Sequence, residues 1–482
     1  MRLSTALGLA ALLGSAASAT LTGPPVIRKG KPPQQAPKMS LDEIRAAQAT
    51  ARVSSPTSNV KGVAFDRLIQ IWLENTNYKA AAGDANFQWL ASQGILLTNH
   101  FGVTHPSQPN YAAAAAGDHF GMDSGDFFRF PENISTVVDL LDTKSISWAA
   151  YQEHMPYAGY PGFNFSNQKN YANDYMRKHN PLILFDSIAN NPDRASQIKN
   201  FTSFEQDLKN KKLPQWIFMT PNMTNDGHDT NYRFSARWTR SFLEPLLKDP
   251  YFMDGTLVML TFDENEVYPT QNRVFTVLLG GAVDASLRGS QDTMFYNHYS
   301  SISTVSANWG LPSLGRWDCG ANILSLVANK TSYQNVMPGG GDAGAAARSL
   351  ESLFFNASYP GPASDKLYTP GWWPVPDTKS TCAAGNGILP AVVKAWSALP
   401  GPAYNYSDAF PYDDRSGSNT AATRVRGGRA VNAGGAGPAP GGGGASSSDK
   451  PKVHNAAGRA ASAGVSCVGG VALVVAGLLS LL

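Results

Sequence analysis

The sequence predicts a layered α/β/α fold built on a largely parallel central sheet. Two observations carry this. Short apolar runs of β-forming residues stand at 68–73, 95–97, 216–219, 257–262 and 274–279. Few of them alternate with polar residues, which is the mark of strands buried on both faces. Helical periodicities such as 134–141 and 235–247 separate the runs, and strands that alternate with helices build parallel sheets. Ligands of such sheets sit beyond the carboxyl ends of the strands. The polar residues that follow each run are therefore the ones to read.

Taken in order, the chain opens with Arg2, an apolar run at 7–13 and the small residues Ala17-Ser18-Ala19. This is the layout of a secretory signal peptide over 1–19, with a buried N-terminal helix as the rival reading. Residues 20–59 are Pro-rich and polar, with one short helix expected at 41–51. The catalytic body is expected over 60–400. Glycine and serine crowd 416–448, so 401–455 reads as a flexible stalk. The last stretch, 456–482, ends in an apolar tail preceded by small residues and a short spacer. That is the pattern of a glycosylphosphatidylinositol signal, with attachment expected at Asn455, and a tail-anchored membrane helix is its rival.

Other counts fit a secreted chain. Three cysteines occur, and Cys467 lies in the tail that would be removed. Cys319 and Cys382 are left as a disulfide pair or as two buried thiols. Asn-x-Ser/Thr sequons stand at Asn133, Asn164, Asn200, Asn222, Asn329, Asn356 and Asn405, expected surface positions for glycan. The net charge of +3 lacks the basic excess of a nucleic-acid binder. No internal repeat is present.

Glu74-Asn75 follows the first run, and Asp263-Glu264-Asn265-Glu266 follows 257–262. After 95–97 comes Thr98-Asn99-His100, then Thr104-His105-Pro106-Ser107-Gln108-Pro109-Asn110-Tyr111. After 216–219 come Pro221-Asn222 and Asn225-Asp226-Gly227-His228-Asp229. Strand ends are often capped by such residues. Carboxylates gathered at one sheet edge, however, repel each other unless a cation neutralises them. Oxygen ligands of this kind suit a hard divalent ion.

These four segments resemble the phosphoesterase family of fungal and bacterial acid phosphatases and phospholipases C, within the alkaline-phosphatase-like superfamily. The likeness spans about 65–319. It implies an alkaline-phosphatase-like fold and a phosphoric monoester hydrolase of the acid phosphatase type. It implies Ser107 as nucleophile and Glu74, Asn75, Asp263 and Glu264 around one divalent metal ion. Asn75, Asn110 and His105 are implied as substrate contacts. Small phosphate esters would be the substrates, and the membrane would be met only through the lipid anchor.

Two departures shape the expectation of a single metal. Two-zinc relatives end the late strand in Asp-His, where this chain has Asp263-Glu264. Their Pro-Asp before Gly-His is here Pro221-Asn222, with residues inserted before Gly227-His228. His228 and His298 are expected where a second metal would stand, binding phosphate and protonating the leaving group. His100 is a weaker candidate, while His119, His154 and His179 are read as structural. A phosphodiesterase or phospholipase C would share the apparatus. A non-catalytic wall protein would have lost the nucleophile or ligands, and all are present. Ser107 lacks the Gly-x-Ser-x-Gly elbow of serine hydrolases.

Overall fold

The computed structural model describes residues 34–337, 361–366, 368, 373–399 and 404. The expected signal peptide, most of the stalk, the lipid-anchor signal with Asn455, and the sequons at Asn356 and Asn405 lie outside the described residues.

Eight strands form the central sheet: β1 Arg67–Leu73, β2 Ile95–Phe101, β3 Trp148–Gln152, β6 Ile198–Lys199, β7 Trp216–Thr220, β8 Thr256–Phe262, β9 Arg273–Leu279 and β10 Ser290–Asn297. Strands β4 Asn164–Ser166 and β5 Asn173–Met176 make a separate antiparallel pair. The order in the large sheet is β10-β2-β9-β8-β1-β7-β3-β6. All neighbours pair parallel except at β9, which runs antiparallel to both β2 and β8. The run at 274–279 is the strand that makes the sheet largely rather than wholly parallel. The connection 263–272 is too short for a crossover helix, so the chain reverses instead.

The lack of polar alternation has a direct cause. Strand residues do alternate, but between two apolar cores on opposite faces of the sheet. Leu68 and Trp72 of β1, Trp216 and Phe218 of β7, and Leu257 and Met259 of β8 join one core. Ile69, Ile71 and Leu73, Ile217 and Met219, and Val258, Leu260 and Phe262 join the other. Helix Ser107–Ala116 packs in the first core and helix Tyr232–Leu246 in the second.

Residues on both sides of the expected body, 60–400, are bonded to it. Before 60, Ser54 N–H donates to Ser196 O at 3.0 Å. The Gln215 amide also bonds both the N–H and the C=O of Val60, each at 2.8 Å. The helix expected at 41–51 is Leu41–Thr50, started by a Ser40–Glu43 capping box. At the other end Tyr404 is buried, edge-on to Trp317, and donates its hydroxyl to Asp118. Cys319 and Cys382 are joined by a disulfide, which ties the last described helix region to the sheet domain. No helix among the described residues is long and apolar enough to cross a membrane.

Candidate active site

Because β1, β2, β3, β7, β8 and β10 share one direction, their carboxyl ends meet at one edge of the sheet. Glu74 leaves β1, Asp263 and Glu264 leave β8, and His298 leaves β10. The Ser107 loop follows β2, and the Asp226–His228 loop follows β7. Glu74, Ser107, Asp226, Asp263, Glu264 and His298 are all buried.

Ser107 is the first residue of its helix, which ends at Gly117 in a left-handed conformation (φ 74°). The first N–H groups of a helix have no acceptor within it, so this end suits an anion. The Ser107 hydroxyl lies 2.9 Å from Glu74 Oε2 and 3.1 Å from Glu264 Oε1. One turn later, on the same helix face, Tyr111 donates its hydroxyl to Glu74 Oε1 at 2.7 Å. The Ser-x-x-x-Tyr spacing thus binds both oxygens of one carboxylate. The other oxygen of Glu264 is held by His105 Nδ1, whose ring stacks on Tyr268 at 4.0 Å.

Asn110, expected as a substrate contact, is bonded to its own loop. Its Oδ1 accepts from the N–H groups of Val103 and Thr104, and its Nδ2 donates to Thr104 O at 2.7 Å. These bonds shape the loop before Ser107, and the second Nδ2–H reaches only the Pro106 carbonyl, at 3.4 Å. Gly102 in the same loop passes so close to Asp263 O that a Cβ there would stand 2.8 Å away. Asn75 is half-buried directly after Glu74.

His179, read as structural, sits in the site. It lies on the short 3-10 turn Arg177–His179, after no apolar strand, so the strand-end rule could not find it. One ligand atom each from Glu74, His179 and His228 falls within 4.8 Å of the others. His179 Nε2 approaches Glu74 Oε1 to 3.1 Å, yet no hydrogen bond closes on that nitrogen. Two lone-pair atoms turned this way fit a shared cation. His228 donates Nδ1–H to Asp229 Oδ1 at 2.8 Å, which leaves Nε2 as its lone-pair atom. This donor group stands beside the expected set of Glu74, Asn75, Asp263 and Glu264: it shares Glu74 and adds two imidazoles, which suit zinc or iron better than magnesium.

The electrostatics agree with a missing positive charge. Burial opposes ionisation of Glu74, but His179, His228 and Lys178 outweigh it and hold the carboxyl at about 2. Burial brings His179 down to about 4 against the pull of Glu74. Above that pH the pair is carboxylate and neutral imidazole, the forms that bind metal. Burial, then the Glu74 charge, pushes Asp226 and Asp263 well up, and burial raises Glu264 against the pull of His105. No hydrogen bond of good geometry closes on either oxygen of Asp263 or on Asp226 Oδ2, although the Ser107 hydroxyl and the Glu264 N–H favour the ionised form of Asp263 and His179 Nδ1 lies 3.7 Å from Asp226 Oδ2. Buried carboxylate oxygens left bare are costly unless a cation covers them.

The other histidines divide. His298 directs Nε2–H to Asp263 O and lies against Trp72, ring centres 4.3 Å apart. Burial lowers it to about 4, and only Nδ1 is uncommitted. It therefore lacks the standing charge expected for phosphate binding. His100 lies within β2, not after it, and bonds Thr276 Oγ1 at 2.6 Å. His154 pairs with Asp174 at 3.1 Å, and His119 is buried. Of the described sequons, Asn133, Asn164 and Asn329 are exposed and Asn200 is half-buried. Asn222 is buried, with its amide on His154 and its oxygen on the Thr224 and Asn225 N–H groups.

An edge of parallel strands that gathers a serine, four buried acids and a Glu-His-His group is a hydrolase site. The phosphoesterase family profile matches residues 65–312, and the chain belongs to that family. It is 57% identical over 390 residues to an acid phosphatase of Aspergillus fumigatus, covering 80% of this chain and 85% of the relative. It is 52% identical over 377 residues to a phosphate-repressible acid phosphatase of Penicillium chrysogenum, covering 78% and 88%. A phosphatidylinositol-3-phosphatase of Mycobacterium tuberculosis is 26% identical over 257 residues, covering 52% and 79%. A solved alkaline phosphatase superfamily protein from Vibrio parahaemolyticus aligns at TM-score 0.35 and 12% identity, covering 56% and 75%. That is too distant to carry the fold, which rests on the strand order itself.

Proposed function

We propose that this chain is an acid phosphatase that hydrolyses phosphate monoesters through a phosphoserine on Ser107. Its class, a phosphatase, follows from relatives of that name at 52–57% identity over about four fifths of the chain. One observation carries the mechanism: the Ser107 hydroxyl is held between Glu74 and Glu264, beside the Glu74–His179–His228 group. A divalent ion bound there would draw electron density from the phosphoryl oxygens and favour the serine alkoxide.

The protein's own part is as follows. Ser107 gives its proton to a carboxylate oxygen within hydrogen-bond reach, and Oγ attacks phosphorus. The ester P–O bond breaks, and the alcohol leaves with the proton that the carboxylate took from Ser107. Water then cleaves the Ser107–phosphate bond, releasing phosphate and restoring the serine proton. The helix start at Ser107 favours the added negative charge in both steps.

The location is part of the proposal: export by 1–19 and retention by a lipid anchor at or near Asn455, on the plasma membrane or in the wall, for scavenging phosphate. The Cys319–Cys382 disulfide supports an oxidising compartment. Release by a phosphatidylinositol-specific phospholipase tests the anchor, and a mature peptide extending through Leu482 would refute it. The chemistry is tested by hydrolysis of a chromogenic monoester and the matching diester, each with and without chelator. Monoester turnover lost on chelation, with acid-trapped phosphate mapped to Ser107, is expected. Phosphate on another residue, or a preference for the diester, would overturn the reading.

A further inference from the structure

We propose that Lys178 is a substrate-binding residue, whose ammonium takes a non-bridging phosphoryl oxygen; the assignment rests on the phosphatase reading above. Lys178 sits at the middle of the Arg177–His179 turn, and both neighbours pin that turn. The Arg177 guanidinium is buried, donates to Ile183 O at 2.6 Å and lies over the Phe127 ring at 4.7 Å. His179 is fixed beside Glu74. The Lys178 stem runs past Gly125, where a Cβ would lie 3.4 Å from Lys178 Cδ. With backbone and stem so placed, Lys178 Nζ stands 3.0 Å from His228 Nε2.

Charge says what this cation is for. Glu74, Asp226, Asp263 and Glu264 are all buried in the site, and a phosphate monoester arrives as an anion. The acids repel it, and one divalent ion on Glu74, His179 and His228 does not offset them all. Among the described residues, no other lysine or arginine is hydrogen-bonded to a site side chain. The geometry also sets when Lys178 is released. His228 Nε2 has one lone pair. It accepts from Lys178 or binds a cation, and cannot do both. Loading the ion therefore frees an ammonium next to the bound ion, where a phosphoryl oxygen would lie. Lysine acts there as a point charge, so arginine should serve in part.

The test compares Lys178→Met, Lys178→Gln and Lys178→Arg with the metal-loaded wild type. Three quantities are read: metal content, KM and kcat for p-nitrophenyl phosphate, and Kd for inorganic phosphate by calorimetry. KM and phosphate Kd should both rise about tenfold in the Met and Gln variants at unchanged metal content, with a smaller fall in kcat. Lys178→Arg should recover most of the loss. The Gln variant keeps a polar tip and carries the test if Met lowers the melting temperature. Unchanged phosphate Kd at full metal content overturns the proposal, and so does a loss that merely follows metal content. Lys178 would then only hold His228 in the metal-free protein. A wild type that neither hydrolyses the monoester nor binds phosphate overturns the phosphatase reading, and Lys178's role with it.

Discussion

Two buried charged clusters lie on this sheet, and they are built to opposite plans. At the β3–β6 side, Lys199 is fully buried and gives Nζ to Asp207 at 2.5 Å and to Ser55 at 2.9 Å. Tyr151 donates to the same Asp207 oxygen at 2.6 Å, and the ammonium lies 4.9 Å from its ring. Acid and base are matched within the chain. At the carboxyl edge four acids are buried, and among the described residues no base forms an ion pair with Asp263. A matched pair holds a fold together. An unmatched cluster is tolerated only if something outside the chain completes it. Charge balance, more than burial, separates the structural cluster from the functional one.

The strongest way to break this contrast is at the nucleophile. Ser107→Ala should lower turnover at least ~10³-fold, because covalent catalysis divides one hard step into two. Melting temperature should stay near that of wild type, since the loss is of one hydroxyl. Activity within tenfold of wild type, by initial rates on a chromogenic monoester, would remove the serine from the chemistry.

Next come the ligands. Glu74→Gln and His179→Ala should each lower metal content and activity together, by about 10²-fold or more in activity. The double variant should cost little beyond either single one, because the residues act as a unit. At the other cluster, Asp207→Asn should leave metal content and kcat untouched. Metal analysis by mass spectrometry beside kinetics separates the two. Active protein free of metal would mean that the bare acids need another partner.

The third prediction inverts the sign of a substitution between the clusters. Lys199→Met strands Asp207 in the interior and should cost about 3–5 kcal/mol of stability. Asp263→Asn removes a buried carboxyl whose ionisation burial and the Glu74 charge oppose, and with it the destabilisation that a raised pKa brings above the unfolded value. In metal-free protein it should raise the melting temperature, while in metal-loaded protein it should lower activity. Chemical denaturation of both forms checks this. Equal destabilisation by the two substitutions would erase the distinction drawn between the clusters.

How far the sequence revealed this arrangement follows the same physics. Strand ends are legible because apolar runs are contiguous, so Glu74, Asp263, Glu264 and Ser107 could be placed at one edge. His179 and Lys178 were not, since a 3-10 turn leaves no periodicity to read. The bonds of Asn110 to its own loop were not foreseen, because in sequence they look no different from bonds to a ligand. Strand β3, Trp-Ala-Ala-Tyr-Gln, was passed over because two alanines weaken its apolar signal, and β9 was not recognised as reversed. Residue type announced the chemistry near the strands. The contacts that select among several histidines are tertiary, and only the fold displays them.

The smallest effect concerns a buried base with acids for neighbours. His119 is buried, and burial lowers its pKa below 6.5 although Asp118 and Asp123 pull it upward. The folded protein therefore holds it neutral where the unfolded chain would protonate it. Below pH 6.5 the unfolded state binds more protons at this site, so stability falls as pH falls from about 6.5 towards the folded pKa. Above pH 6.5 the site adds no slope. His119→Gln removes the titration and should flatten the acid limb of melting temperature against pH, measured between about pH 5 and 7.5. The level of stability will also change, because the packing changes, so the slope is the diagnostic. An unchanged acid slope would mean that His119 is not held neutral. It would then be charged and matched by Asp118 or Asp123, as Lys199 is by Asp207.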